Sequence, residues 1–502
     1  MPQEDIEAVT SQPSSTYQKF ARDVIIVALT TGLVALSGIF MMPLFTRTLG
    51  AANYGIWAQS YATVNMVLIL ATLGLPYAMT RILPGKTDRA AIRDDVYSAL
   101  CLSFIVTLIS SLIIFLSAPA IARSFFDGAT DVVKLTAVII LLSSPITIYV
   151  TLFRAFRHTN TYSVFTLIDA YGQVVIVAYL ALHGYGLVSM FLGLVALRVL
   201  VVLLMLIYVA LQVGICRPRF LNTMEYLRFG VPTVSMSVSW WVVSFSDRYV
   251  IASYLGAASV GIYSAAYSIA NIIFMTVSIL GLVLTPALSQ LYNEGRGDQL
   301  AVHISYSLKY FLLLAIPFVA GAAALARPLL TVFSTAEIGS RGHVVLPLLA
   351  LSILLFGVYS IVGQMLLLTR KTALMGFLWV AAAALNLGFN ILLVPRMGIN
   401  GSAISSLIVY ALVLGIACYY SFREVSIPVD WRFISKSLLA SGTMAAVIAF
   451  MHPQTRLETV ATVLVGVIVY LVGLLLLKAI RKDEIAFFKE LLRKRGVQDS
   501  GE

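Results

Sequence analysis

Fourteen apolar runs, each about as long as a helix that crosses a bilayer, dominate this sequence of 502 residues. A transmembrane helix needs about 20 predominantly apolar residues. Only 11% of the residues are charged, against about 25% in soluble proteins, so the bilayer must act as solvent for most of the chain. We therefore predict an all-α polytopic membrane protein with about 14 transmembrane helices. The predicted spans are 24–46, 56–80, 96–118, 133–153, 162–182, 187–211, 228–252, 260–284, 304–326, 344–368, 373–394, 401–422, 434–451 and 457–480.

Lysines and arginines are distributed unequally over the connections between these runs. Roughly 25 of the 34 lie before the first run, in every second connection or after the last run. Because cytoplasmic loops carry an excess of these residues, both termini are predicted to be cytoplasmic. The net charge of +11 is then explained by topology, and no nucleic acid is expected as a partner. Residues 1–23 are predicted to be a cytoplasmic segment, and 481–502 a basic amphipathic tail on the membrane surface.

A sequence repeat divides the chain. The stretch LGAANYGIWAQSYATVN at 49–65 recurs as LGAASVGIYSAAYSIAN at 255–271, which is 206 residues later, with eight of 17 positions identical. A weaker echo relates YGLVSM at 185–190 to MGINGS at 397–402. Self-similarity at a fixed spacing indicates repeated structural units.

The repeat predicts two six-helix bundles at 24–215 and 216–425, followed by two additional helices within 426–480. Since six is even, both bundles enter the membrane from the same side and are parallel repeats. Transporters built from such repeats bind their substrate between the halves and expose it to each side in turn. A duplicated scaffold without transport activity is the alternative.

Three stretches carry a resemblance to a known family. FTRTLGAANYGIWAQ at 45–59, DRYVIASYLGAASVGIYSAAYSIAN at 247–271 and LLVPRMGINGSAISSLIVYAL at 392–412 resemble polysaccharide flippases. These belong to the multidrug, oligosaccharidyl-lipid and polysaccharide exporter superfamily. The resemblance implies a multi-pass protein of the cytoplasmic membrane that translocates a polyprenyl-diphosphate-linked oligosaccharide by alternating access, for surface polysaccharide or glycan assembly. It also implies a polysaccharide polymerase and glycosyltransferases as partners, and two last helices that accompany the lipid tail.

Three other functions stay open at this point. The nearest are a flippase for the peptidoglycan lipid precursor and a drug or cation antiporter of the same superfamily. A membrane glycosyltransferase or polymerase fits less well, because the sequence has no large extracytoplasmic loop or acidic catalytic residues near a loop. We expect no enzymatic activity, no cofactor and no metal, since the sequence contains neither a nucleophile–base motif nor a cluster of metal ligands.

Two charged residues are predicted to lie inside the membrane. Arg198 is the twelfth residue of its span, close to the midplane, where a charge costs at least about 2.5–3.5 kcal/mol. It is expected either to contact an anionic substrate or to form an ion pair, with Asp169 as the candidate partner. Asp169 and Gln173 share one helical face with Tyr162 and Thr166, which favours either cavity lining or a polar contact between helices.

Span seven carries a second charged pair near its outer end, Asp247 and Arg248. They occupy the repeat positions of two methionines, so the halves share a frame but differ in charge. The pair is expected either to line the substrate path or to form an interfacial salt bridge. Trp240 lies two turns earlier and either stacks on a sugar ring or packs in the protein.

Repeat-related polar residues complete the candidate site. Tyr61 and Asn65 on span two match Tyr267 and Asn271 on span eight, each pair at i,i+4 on one helical face. Each pair is expected to hydrogen-bond either a glycan or the other pair. The family resemblance further implies basic cavity residues on the first spans, a position that Arg47 fits best.

No nucleotide-binding loop is present. Gly85-Lys86-Thr87 resembles the end of a phosphate-binding loop, but residue 80 is Thr where that motif requires Gly. Transport energy must then come from the membrane potential, the substrate gradient or an ion gradient of H⁺ or Na⁺. Protonation of Asp169 is one hypothesis for coupling to such a gradient.

Overall fold

The computed structural model describes residues 13–479, and the predicted tail at 481–502 lies outside them. Within the described residues the chain is helical and forms no β-strand. The helices are α1 (Pro13–Ala71), α2 (Leu75–Ile82), α3 (Arg89–Leu116), α4 (Ala118–Phe125), α5 (Thr130–Ala155), α6 (Thr159–Leu182), α7 (Leu187–Val213), α8 (Thr223–Ala270), α9 (Ile272–Asn293), α10 (Gly297–Ala324), α11 (Ala326–Phe333), α12 (Ala336–Gly342), α13 (Val345–Val362), α14 (Gln364–Leu368), α15 (Thr372–Met397), α16 (Ile399–Glu424), α17 (Trp431–Phe450) and α18 (Arg456–Leu476).

Twelve helical segments within residues 13–479 are long and apolar enough to cross a membrane. Two of them, Arg22–Ala71 and Thr223–Val277, contain 50 and 55 residues, about twice the length that one crossing needs. Ten segments are long enough for one crossing each and two are long enough for two crossings each, so together they account for the 14 predicted crossings. The prediction of an all-α polytopic membrane protein is therefore confirmed.

The two double segments turn at equivalent glycines of the repeat. Gly50 interrupts α1 with φ 80° and ψ 176°, and Gly256 interrupts α8 with φ 78° and ψ 173°. Residues with a side chain rarely adopt this backbone conformation, whereas glycine adopts it readily. The repeated Leu-Gly-Ala-Ala sequence thus forms the same turn between two crossings in both halves.

Two predicted spans are discontinuous. The span at 56–80 is interrupted by a turn at 72–74, and the chain resumes as α2, which has a proline in its first turn. The span at 260–284 is interrupted at Asn271 between α8 and α9. Proline is well tolerated in the first turn of a helix, which accounts for the restart at α2.

One compact unit comprises the described part of Met1–Ser268 together with Phe333–Thr335 and Ala373–Val409. Its central helix is α5, which packs on α1, α3 and α7. Two thirds of the residues in the most apolar stretch of α5 are buried. The hydroxyl groups of Ser103 and Ser144 are 2.6 Å apart and join α3 to α5.

A second compact unit comprises Ile269–Val332, Ala336–Thr372 and the described part of Tyr410–Glu502. In it α10 packs on α9, α13 and α17, and α17 packs on α18. The hydroxyl of Tyr470 on α18 donates a hydrogen bond to the carbonyl of Leu313 on α10, at 2.9 Å. The two C-terminal helices are thereby attached to α10. The bundle boundaries at 24–215 and 216–425 stay predictions.

Candidate functional site

Arg198 and Asp169 form an ion pair between α7 and α6. Arg198 Nε lies 3.3 Å from Asp169 Oδ1, and the two side chains are 17% and 20% exposed. Gln173 donates to Asp169 Oδ2 at 3.2 Å, and Arg198 Nη1 donates to the hydroxyl of Ser143 on α5 at 3.1 Å. Asp169 Oδ1 has no hydrogen-bond partner among the described residues. The ion pair offsets part of the cost of placing these charges within the membrane.

Asp247 and Arg248 form a more deeply buried pair, with side chains 1% and 5% exposed. Arg248 Nη1 donates to Asp247 Oδ1 at 3.0 Å and to the carbonyl of Ser244 at 2.9 Å. The hydroxyl of Tyr263 donates to the other carboxylate oxygen. Both charges are therefore compensated inside the protein, and whether the pair lines the substrate path stays a prediction.

Aromatic rings surround the guanidinium of Arg248. Its central carbon lies 4.6 Å from the ring centroid of Tyr267 and 5.0 Å from that of Phe245. Phe245 in turn contacts Tyr61 and Trp240, with ring centroids 6.4 and 6.0 Å away. Tyr61 and Trp240 are exposed, and Tyr61 also stacks on Trp57, with ring centroids 6.1 Å apart. The structure thereby brings together five of the predicted site residues, Asp247, Arg248, Tyr267, Tyr61 and Trp240.

Arg47 and the two asparagines occupy separate environments. Arg47 is exposed, and its Nε donates to the carbonyl of Ser334 at 3.0 Å. Asn65 donates to the carbonyl of Tyr61 on its own helix at 2.8 Å. Asn271 precedes the first residue of α9, in the second compact unit, and its side chain makes no capping hydrogen bond. The structure therefore does not show the repeat-related pairs as equivalent.

The two copies of the repeat contact each other at their glycines. A β-carbon on Gly55 would overlap the carbonyl oxygen of Ala257, and one on Gly261 would overlap that of Ala51. Ala51 and Gly55 correspond to Ala257 and Gly261 at the spacing of 206 residues. The contact is thus reciprocal, as an approximate two-fold axis between the repeats requires. The carboxylate of Asp127 also accepts from the backbone amide of Ala257, at 3.0 Å.

Sequence analysis missed a carboxylate pair that holds the connection between the repeats. Asp94 accepts from the backbone amide of Arg219 at 2.6 Å. Asp95 accepts hydrogen bonds from the side-chain amide of Asn222 and from the hydroxyl of Tyr226, each at 3.0 Å, and forms an ion pair with Lys86. The sequence signal that could have predicted these contacts is the presence of two adjacent carboxylates in the first turns of an apolar helix, since buried charges need partners.

These arrangements are suited to binding and movement. They provide guanidinium groups that can bind phosphate, exposed aromatic rings that can stack on sugars, and a close reciprocal contact between the two repeats. A search of the described residues finds no group of three or more histidine, cysteine or acidic side chains that could hold a metal ion.

Comparison with protein families gives two matches. The family described as "Polysaccharide biosynthesis protein" matches residues 20–292, and the family described as "MatE" matches residues 232–392. Among curated proteins, the "Probable low-salt glycan biosynthesis flippase Agl15" of Haloferax volcanii is 23% identical over 466 residues. That alignment covers 89% of this chain and 93% of the relative.

Two solved structures share the fold. The first is "Lipid II flippase MurJ, inward closed conformation", with a TM-score of 0.71 and 16% identity, covering 93% of this chain and all of that one. The second is an inward-facing multidrug resistance MATE family transporter, with a TM-score of 0.62 and 15% identity. That match covers 80% of this chain and 98% of the transporter. At these identities the likeness concerns the fold.

Proposed function

We propose a function for this chain from the premise that it belongs to the polysaccharide biosynthesis protein family. The protein is a flippase that translocates a polyprenyl-diphosphate-linked oligosaccharide across the cytoplasmic membrane by alternating access. The observation that carries the proposal is the reciprocal contact of Gly55 and Gly261, because repeats related by an approximate two-fold axis are the arrangement from which alternating-access transporters are built. The similarity to a glycan flippase over most of both chains supports the same function.

The placement in the cell follows from the charge distribution. We place both termini in the cytoplasm, because roughly 25 of the 34 lysines and arginines lie on that side of the predicted spans. The substrate then enters from the cytoplasmic leaflet and leaves outside, where a polysaccharide polymerase or another glycan-assembly enzyme uses it. The protein itself acts as a transporter rather than an enzyme, in keeping with its flippase relative.

The substrate competes with the protein's own carboxylates for the arginines. A diphosphate approaching Arg198 can take the place of Asp169, whose Oδ1 has no hydrogen-bond partner among the described residues. Arg47, which directly follows the predicted span 24–46, offers a second guanidinium. Sugar rings bind to the exposed faces of Tyr61 and Trp240. In this proposal, these cationic and aromatic groups line one path for the substrate.

Removing the charge of Arg198 should slow transport. We expect Arg198→Gln to lower the flipping rate about tenfold or more, because a charge-assisted hydrogen bond to phosphate contributes about 1.5–3 kcal/mol. The measurement is flipping of a fluorescent lipid-linked oligosaccharide in proteoliposomes that contain the purified full chain.

Arg123→Gln is the matched control, since Arg123 is an exposed arginine on α4. It should flip at the rate of the unmodified protein. Full transport by both Arg198→Gln and Arg47→Gln would contradict the cationic path.

Coupling to protons would make transport depend on Asp169. We expect an imposed pH gradient to change the flipping rate of the unmodified protein, and expect this dependence to disappear in Asp169→Asn, which cannot bind and release a proton. The measurement is the flipping rate with and without the gradient at equal internal pH. A gradient response that persists in the variant would exclude Asp169 as the coupling group, and a matched Na⁺ gradient tests the other ion.

Two alternatives belong to the same superfamily. The MatE family match and the MurJ-like fold favour, respectively, a drug or cation antiporter and a flippase for the peptidoglycan precursor. The same proteoliposomes distinguish them when loaded with lipid II or with a cationic dye. Transport of either of these in preference to polyprenyl-linked oligosaccharides would replace our proposal.

A further inference from the structure

A second cationic site lies apart from Arg198 and Arg248, where α2 ends and α8 begins. A cavity of about 450 Å³ opens there, and its lining residues are Arg81, Ile82, Met224, Glu225, Arg228 and Phe229. This volume lies in the range of cavities that bind small molecules, about 300–1,000 Å³. We call it the α2–α8 pocket.

The two arginines of the α2–α8 pocket are available to an anion. Both are exposed, and among residues 13–479 neither forms an ion pair with a carboxylate. The guanidinium of Arg81 lies 4.8 Å from the ring centroid of Phe229 and is thereby oriented. A guanidinium held on an aromatic face keeps its N–H groups available at the edge, and these match the oxygens of a phosphate.

Glu225 restricts which phosphate compounds fit. With two arginines and one carboxylate, the lining has a net positive charge and therefore favours an anionic ligand over a zwitterionic one. The carboxylate accepts hydrogen bonds only, so a ligand that carries hydroxyl groups beside its phosphate suits the pocket better than phosphate alone. Sugar diphosphates on a lipid and the glycerol headgroup of phosphatidylglycerol both have this chemistry.

The walls of the pocket are fixed by the carboxylate of Asp95. This group accepts hydrogen bonds from Asn222 and Tyr226, at the start of α8, and forms an ion pair with Lys86, which follows the end of α2 in the sequence. Lys86 also lies 5.5 Å from the ring centroid of Tyr226. A binding site whose walls are held in place loses less conformational entropy when its ligand binds.

The predicted spans place the pocket at headgroup depth. Arg81 directly follows the predicted span 56–80, and Arg228 begins the predicted span 228–252. Both ends belong to the cytoplasmic side in the orientation given above, so the inference depends on the proposed function for its direction. Ile82, Met224 and Phe229 supply apolar surface on which the first carbons of a lipid chain can lie.

We propose that the α2–α8 pocket binds the phosphate of an anionic, hydroxyl-bearing lipid headgroup at the cytoplasmic surface. The ligand is either the lipid-linked substrate before translocation or an anionic phospholipid, since both present the same phosphate and hydroxyl groups. The pocket is distinct from the path of Arg198 and Arg47 and precedes it when the ligand is the substrate.

The test uses the double variant R81Q/R228Q of the full chain. Arg423→Gln is the matched control, because Arg423 is also stacked on a tyrosine, with 4.5 Å between its guanidinium carbon and the ring centroid of Tyr419. Retention of phosphatidylglycerol against phosphatidylcholine is measured by native mass spectrometry of the protein released from nanodiscs. Flipping of the lipid-linked oligosaccharide is measured in vesicles of phosphatidylcholine alone.

Each ligand source gives its own result. If the ligand is a phospholipid, the double variant retains phosphatidylglycerol about tenfold less and flips normally in phosphatidylcholine vesicles. If the ligand is the substrate, the half-saturating substrate concentration rises about tenfold and the maximal rate is unchanged. A double variant that equals Arg423→Gln in both measurements overturns the proposal.

Two further controls keep the result interpretable. Arg228→Gln alone serves if the double variant does not fold, and Arg81→Lys tests whether the planar guanidinium is needed, since lysine keeps the charge. An unmodified protein that flips no oligosaccharide refutes the proposed function. Retention of phosphatidylglycerol then still decides whether the pocket binds a headgroup.

Discussion

Replacing Gly55 or Gly261 with leucine is expected to slow flipping about fivefold to 150-fold while insertion into the membrane stays normal. Each glycine lies against a backbone carbonyl of the other repeat, that of Ala257 or of Ala51, and a β-carbon would overlap it. Forcing extra atoms into a packed contact costs about 1–3 kcal/mol, and here the obstacle is backbone that cannot rotate away. The arrangement in which the repeats are in contact should lose about fivefold to 150-fold in population relative to one in which they have parted.

The altered population can be observed directly by cysteine labelling. Gln59 lies one turn after Gly55 and is 1% exposed, so Gln59→Cys should resist a membrane-impermeant maleimide added outside. In Gly261→Leu the same cysteine should become reactive. The background for this experiment carries serine at the three native cysteines, Cys101, Cys216 and Cys418.

Gly38→Leu is the control for the glycine variants. Gly38 lies on the same helix, α1, and a β-carbon there meets no atom within 4 Å. It should flip and label like the unmodified protein. Normal flipping by both Gly55→Leu and Gly261→Leu would show that the repeats need not meet here during transport.

The fold was largely predictable because its determinants are local. The length of the apolar runs sets the crossings, and glycine at the repeat position sets the turn at Gly50 and Gly256. The interruption at 72–74 was not predicted, although a proline at residue 76 follows it closely. An apolar run hides such a break, since hydropathy does not change where the helix restarts.

The candidate site was less predictable because its contacts join distant parts of the chain. Helical spacing alone placed Gln173 beside Asp169, and the hydrogen bond between them confirms that proximity. No spacing rule could have placed Asp95 beside Tyr226, which lies 131 residues later. The placement of aromatic rings around Arg248 likewise depends on the turn of α8 at Gly256, because that turn brings Tyr267 to the guanidinium of Arg248.

Removing the carboxylate of Asp247 is expected to destabilise the protein by about 3–5 kcal/mol, the usual effect of breaking one side of a buried ion pair. Asp247→Ala leaves the guanidinium of Arg248 in a site where its side chain is only 5% exposed. It also leaves the hydroxyl of Tyr263 without its acceptor. The measurement is thermal unfolding in detergent, followed by the loss of the monodisperse peak in size-exclusion chromatography.

The double variant D247A/R248M separates the cost of an unpaired charge from the loss of packing. Methionine fills much of the volume of the arginine among the rings of Phe245 and Tyr267 without needing a counter-ion, so most of the stability should return. Asp169→Ala should cost less than Asp247→Ala, because the side chain of Arg198 is less deeply buried than that of Arg248, 17% against 5% exposed. A double variant as unstable as Asp247→Ala would mean that the buried charge is not what destabilises the single variant, and the pair would then have to act through its hydrogen bonds to Tyr263 and Ser244.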